Sequence, residues 1–206
     1  MSRLIRQLAA AAVVAVLSLS STGCLEIETG IHFDGPESGT VRSHYLVPAE
    51  LAEFSEIQPT ASTALQPLER EYIQDYLAGV AGARLMEYHR DQGDSVHELQ
   101  TVIRFETWDA LQQLMELLGM EIHRSAGEDG FDLLVAPAED QPLDSNPFLR
   151  DIGDVVSIRV EVQAPEDVVS VEGFDGMSAH GRTARFDVPV VAAITSPEPI
   201  WMRVRW

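Results

Sequence analysis

From residue 25 the chain alternates. Leu25, Ile27, Ile31 and Phe33 are spaced by Glu26, Glu28 and His32, a period of two that predicts a half-buried strand. Asp34-Gly35-Pro36-Glu37-Ser38-Gly39 is a turn by composition, and Val41, Tyr45 and Val47 give the returning strand. Pro48 opens a short helix through Leu51 and Phe54. A polar stretch over residues 58–66 leads to Pro67 at a first helical position, with Glu69 and Glu71 favourable in the first turn. Leu68, Tyr72, Tyr76 and Val80 follow at four-residue steps, beside Ile73 and Leu77. That spacing predicts an amphipathic helix ending near Gly82.

Residues 84–90 and 95–106 flank Asp91-Gln92-Gly93-Asp94 and read as a hairpin, with Leu99, Thr101, Ile103 and Phe105 on one face of its second strand. Thr107 is an N-cap for a helix carrying Trp108, Leu111, Leu114, Met115 and Leu118, and Gly119 helps end it. Residues 121–124 and 131–135 make a further strand pair around Gly127-Glu128-Asp129-Gly130. Residues 136–147 are acidic and contain proline, which marks a loop; Asn146-Pro147 caps one short helical turn. After residue 150 the helical signal stops. Val156, Ile158, Val160 and Val162 alternate, and residues 168–171, Ala184 to Val188 and Ile200 to Trp206 give three more strands. The pattern predicts an α+β fold: a mostly antiparallel sheet with two or three helices packed on one face, and a C-terminal part that is all-β. Residues 24–150 form the α+β layered region. Residues 151–206 form the β-rich region of the same or an adjoining domain.

The first twenty-four residues follow another logic. Arg3 and Arg6 precede a ten-residue apolar run, Leu8 to Leu17, and then Ser18 to Thr22, Gly23 and Cys24. A basic start, a short apolar core and a small-residue exit make residues 1–23 a signal peptide. The run is too short to span a bilayer, which needs roughly 20 apolar residues. Ser21-Thr22-Gly23-Cys24 resembles the lipobox of bacterial lipoproteins, with Ser21 where leucine is usual. The resemblance implies diacylglyceryl transfer to the Cys24 sulfur, cleavage before it and acylation of its amine. Each buried methylene contributes about 0.8 kcal/mol, so two or more acyl chains hold stably. Cys24 is the single cysteine of the chain, so an intrachain disulfide framework is excluded.

Charge sets the partner class. The 14 basic residues, all arginine, face 33 acids, for a net charge of −19. Loss of Arg3 and Arg6 with the leader makes the mature chain more acidic still. Such a surface is a poor match to nucleic acid and is repelled by anionic lipid, so attachment falls to the acylated Cys24. Leu25, not aspartate, follows the cysteine; in a double-membraned host this points to the outer membrane, and otherwise to the exported side of the cell membrane.

The chain carries few motifs with a chemistry of their own. There is no G-x-S-x-G elbow, and Gly176-Met177-Ser178-Ala179-His180 does not make one. The six histidines form no H-E-x-x-H pair, so no metal and no cofactor is expected, and no catalytic residue is assigned. His32 with His44, and His89 with His97, are placed to face each other across the two hairpins, where solvated strand faces are the commoner use. Tyr72, Tyr76 and Trp108 are candidates to line a cavity, with core packing as the alternative. Trp201, Arg203 and Arg205 share the face opposite Ile200, Met202 and Val204. They form a candidate contact patch for an acidic partner or a lipid phosphate, with arginine stems lying over an edge strand as the alternative.

Two stretches resemble a known family. Cys24-Leu25-Glu26-Ile27 running to Asp34-Gly35 and Ser38-Gly39 resembles the start of the LppM-like bacterial lipoproteins. Val162-Gln163-Ala164-Pro165-Glu166-Asp167-Val168 to Gly173, then Thr183 to Asp187, is similar to that family's late proline-turn-valine unit. Glu166 stands where a glycine is common, and a C-terminal membrane segment of some members has no counterpart here. The likeness covers most of the mature chain in layout and few residues in identity. It implies an α+β envelope domain with an apolar cavity for lipids and no catalytic residues. The expected function is a lipid-anchored, non-catalytic envelope protein that binds a lipid, another amphiphile or an envelope partner. The alternative is an assembly or scaffold lipoprotein that binds only protein.

Overall fold

The computed structural model describes residues 26–48, 69–125, 129–136 and 157–206. Cys24, the leader, the helix expected from Pro48 and the loop over residues 137–147 lie outside them. Strands β1 (Glu26–Phe33) and β2 (Gly39–Pro48) form the first hairpin. Its turn is closed by the Asp34 N–H on the Ser38 carbonyl and by the Ser38 hydroxyl on Asp34 Oδ1 at 2.8 Å. Helix α1 (Arg70–Ala78) precedes the second hairpin, β3 (Ala83–Gln92) and β4 (Val96–Phe105). Helix α2 (Trp108–Leu117) leads to β5 (Glu121–Arg124) and β6 (Gly130–Ala136). Then come β7 (Ser157–Gln163), β8 (Ser170–Gly173), β9 (Met177–His180), β10 (Thr183–Pro189), α3 (Val190–Thr195) and β11 (Ile200–Arg205).

These strands make two sheets. The larger has seven strands in the order β3-β4-β2-β1-β7-β10-β9, and the smaller has four in the order β5-β6-β11-β8. All pairs are antiparallel except β1 with β7, which run parallel with Ile27 beside Ile158 and Ile31 beside Val162. The strand that begins at Glu26 is therefore central in the larger sheet. The late strands β7 and β10 extend that sheet, and β11 completes the smaller one.

The expected α+β architecture holds, with adjustments. The first long helix is described from Arg70, with Glu69 extended as its N-cap, and ends at Ala78; Pro67, expected at its first position, lies outside the described residues. Residues 168–171 supply a strand that sits two positions later, at Ser170–Gly173. Two elements of the strand-rich C-terminal region have no counterpart in the sequence pattern: β9, and the six-residue helix α3. Thr107 does cap α2, accepting the Ala110 N–H at 3.2 Å, and Gly119 takes φ 75° just beyond its end.

The core lies between one face of the larger sheet and the layer made by the helices and the smaller sheet. Ala110, Leu111, Leu114 and Met115 of α2 are fully buried, as are Phe33, Phe105 and Phe131 from three strands. Phe33 packs edge-on to Phe105 at 5.6 Å between centroids and lies 5.5 Å from Trp206. Burying each such side chain is worth about 1.5–3 kcal/mol. The helix–sheet interface is thus packed among the described residues. The Tyr76 hydroxyl joins the two long helices, donating to the Gln113 carbonyl at 2.8 Å. Because strand side chains alternate, the other face of the larger sheet is left mostly to polar residues, with Leu46 and Val102 among them.

Candidate functional site

That outer face carries a cross-strand row of charge. Glu28 on β1 stands beside Arg159 on β7 and His44 on β2, and Arg159 in turn stands beside Asp187 on β10. Arg159 donates to Asp187 Oδ1 at 2.9 Å, to Glu26 Oε1 at 3.0 Å and to Glu28. Its pKa is raised above the ordinary arginine value, first by the Glu28 hydrogen bond and then by Asp187. His44 Nε2 donates to Glu98 Oε1 at 2.9 Å, and its Nδ1 lies 3.8 Å from Glu28 Oε2. Hydrogen bonds from Gln100 and then His44 hold the Glu98 carboxyl below its usual range.

Beside this row the twisted sheet forms a hollow of about 310 Å³. Glu28, Arg42, His44, Glu87, His89, Gln100 and Val102 are among the residues that line it. Sequence reasoning placed the strands but missed the hollow. The register corrects the histidine pairing: His32 stands opposite Thr40, and His44 opposite Glu28. On the second hairpin His89 stands opposite Gln100, and His97 opposite Gln92. Turn length fixes these partners, and the tight closure at Asp34 and Ser38 shifts them away from the pairing that spacing suggested. The signal that could have found the hollow is the alternation Arg42, His44 with Gln100, Val102 on polar faces of neighbouring strands.

Trp201, Arg203 and Arg205 lie on an interior strand, not an edge: β11 runs between β6 and β8. Arg203 Nε and Arg205 Nη2 both donate to Asp132 Oδ1, at 3.2 and 2.7 Å, and Arg203 Nη1 donates to Glu172 at 3.1 Å. Burial would raise the Asp132 pKa, but the hydrogen bonds from Arg205 and Arg203 outweigh it and hold the carboxyl below its usual range. The two guanidinium groups are thus already engaged by acids of the same sheet. The Trp201 ring sits 5.8 Å from that of His123. Trp201 also borders an apolar cleft between the two sheets, together with Val135, Phe174, Met177, Phe186 and Ile200, too narrow to admit a water-sized sphere.

The three candidate cavity residues lie on the two long helices. Tyr72 is exposed on α1, Tyr76 bridges to α2, and Trp108 packs on Phe131 with Arg124 stacked 5.1 Å over its ring. None of them borders the hollow or the cleft. Among the described residues no group of three or more His, Cys, Asp or Glu is placed to hold a metal ion. No described helix is long and apolar enough to cross a membrane.

No family model matches the sequence, and no curated protein is similar to it. Among solved structures, the NMR structure of the folded domain of LppM from Mycobacterium tuberculosis aligns with 89% of this chain and 91% of that chain. The identity is 12% and the TM-score 0.49. The likeness is distant.

Proposed function

We propose that this chain is a lipid-anchored, non-catalytic cell-envelope domain, held at the membrane by acylated Cys24 on the exported side, that binds its partner on the outer face of the larger sheet. One observation carries the reading: β1 starts at Glu26, two residues after Cys24, and is a central strand. A tether at Cys24 then enters the fold with almost no linker. It turns toward the bilayer the sheet end where Glu26, Leu46, Ser157 and Pro189 lie in register. The leader pattern and the lipobox-like Ser21-Thr22-Gly23-Cys24 support the same attachment.

Where the partner binds follows from packing. The described helix–sheet interior is filled, which favours binding on the surface over storage of a lipid inside. The outer face offers a concave, polar, ion-paired surface, suited to a lipid headgroup or an envelope partner. Cell fractionation tests the tether. The parent chain is expected in the membrane fraction and Cys24→Ser in the soluble exported fraction; equal sedimentation of both overturns the reading.

A further inference from the structure

Arg90, Arg104, Arg124, Arg159, Arg185 and Arg203 each reach a carboxylate. Arg42 does not, and neither does it find another partner among the described residues. Its register explains why: on one side it faces Gly30, which has no side chain, and on the other Val102, which has no charge. Beyond Val102, in the same row, stands Glu87, which also has no partner among the described residues. At about 4.8 Å per strand, the Arg42 and Glu87 backbones are about 10 Å apart with Val102 between them. One row along, His44, Gln100 and His89 stand side by side on the same three strands.

We propose that the hollow is a binding site for a small zwitterion, an anion and an ammonium joined by a short carbon link, of the phosphoethanolamine type. Arg42 takes the anion through its forked donors, Glu87 takes the ammonium, and Val102 lies under the link. Gln100, in the next row of the same strand, has its amide nitrogen on Glu98 and keeps its amide oxygen as an acceptor for the ammonium. A ligand with only one charge satisfies one wall and leaves the other unpaired. A hollow of about 310 Å³ holds a group of this size. The Arg42 row lies four residues along β1 from Glu26, or about 13 Å at 3.3 Å per residue. A zwitterionic lipid headgroup is therefore within reach if the chain is tethered at Cys24; this part rests on the proposed anchor. The recognition of the zwitterion itself does not.

Calorimetric titration of the full chain in a non-ionic detergent, with O-phosphoethanolamine as probe, tests the site. Saturable binding is expected, with inorganic phosphate and ethanolamine alone each at least tenfold weaker. Arg42→Gln and Glu87→Gln should each weaken the zwitterion at least tenfold. Both residues are exposed, so both variants should keep the parent melting temperature. Absence of saturable binding, or binding that neither variant changes, overturns the proposal. Flotation of Cys24→Ser with vesicles of phosphatidylethanolamine and phosphatidylglycerol then separates the sources. Capture that needs Arg42 and the ethanolamine lipid identifies a headgroup, and capture of the soluble probe alone identifies a free solute. The titration is independent of acylation, so its failure and that of the anchor are distinguishable.

Discussion

Arg159 Nε donates to Asp187 Oδ1 at 2.9 Å, and the same guanidinium reaches Glu26 and Glu28, so one side chain on β7 ties together β1 and β10. Exposed single ion pairs contribute about 0.2–1 kcal/mol, and a shared, multiply bonded one sits at the upper end. Arg159→Gln should destabilise the chain by about 1 kcal/mol in urea unfolding. The loss should shrink in about 1 M salt, where the screening length falls to about 3 Å. Arg185→Gln removes one exposed pair with Glu161 and should cost little in the same assay.

Phe131 is fully buried among Phe33, Trp108 and Trp206. Phe131→Ala leaves a cavity that these rings cannot close, with an expected loss of about 3–5 kcal/mol. Tyr76→Phe removes only the bond to the Gln113 carbonyl and should cost about 1 kcal/mol. Denaturant midpoints at constant slope measure both. Equal losses would mean that the ring cluster is not the centre of the core.

Gly173 has φ 142°, and a Cβ built there would lie 2.1 Å from the Trp201 carbonyl oxygen. Gly173→Ala must displace β8 from β11 and should cost about 2 kcal/mol or more. Gly79, at φ −88°, is the control: its Cβ would sit 3.4 Å from the Tyr76 carbonyl, and alanine there should be nearly neutral.

Asp132 is held below the usual carboxylate range in the folded chain by Arg205 and Arg203, against the effect of burial. Hydrogen bonds from Arg104 and Ser38 lower Asp34 in the same way. In the unfolded chain these groups titrate near about 4. Their stabilisation is therefore complete above that pH and is lost as pH falls through the lower folded values. Asp132→Asn should be less stable than the parent at pH 7, and the difference should close at the acid end of a pH series of urea midpoints.

Alternation made β1, β2 and β4 legible because Ile31, Val41 and Ile103 face one core while Arg42, His44 and Gln100 face water. Capping chemistry made α2 legible through Thr107. What escaped was non-local or too short. The parallel pairing of β1 with β7 joins residues more than a hundred positions apart, and no local pattern encodes it. Met177–His180 is mostly exposed and gives no two-fold signal, and Val190–Thr195, apolar and rich in β-branched residues, extends the pattern of β10 although it coils into a helical turn. Arg203 and Arg205 were visible as an arginine pair, but not the acids opposite them, since Asp132 and Glu172 come from other strands. The hollow was hidden for the same reason: Arg42 and Glu87 meet only through β4.

The attachment is tested most directly by mass spectrometry of the N-terminal peptide from the chain purified out of host membranes. The account predicts a peptide that begins at Cys24 and carries the added mass of a diacylglyceryl group and an amide-linked acyl chain. A peptide that begins elsewhere, or one that begins at Cys24 with a free thiol, would contradict it.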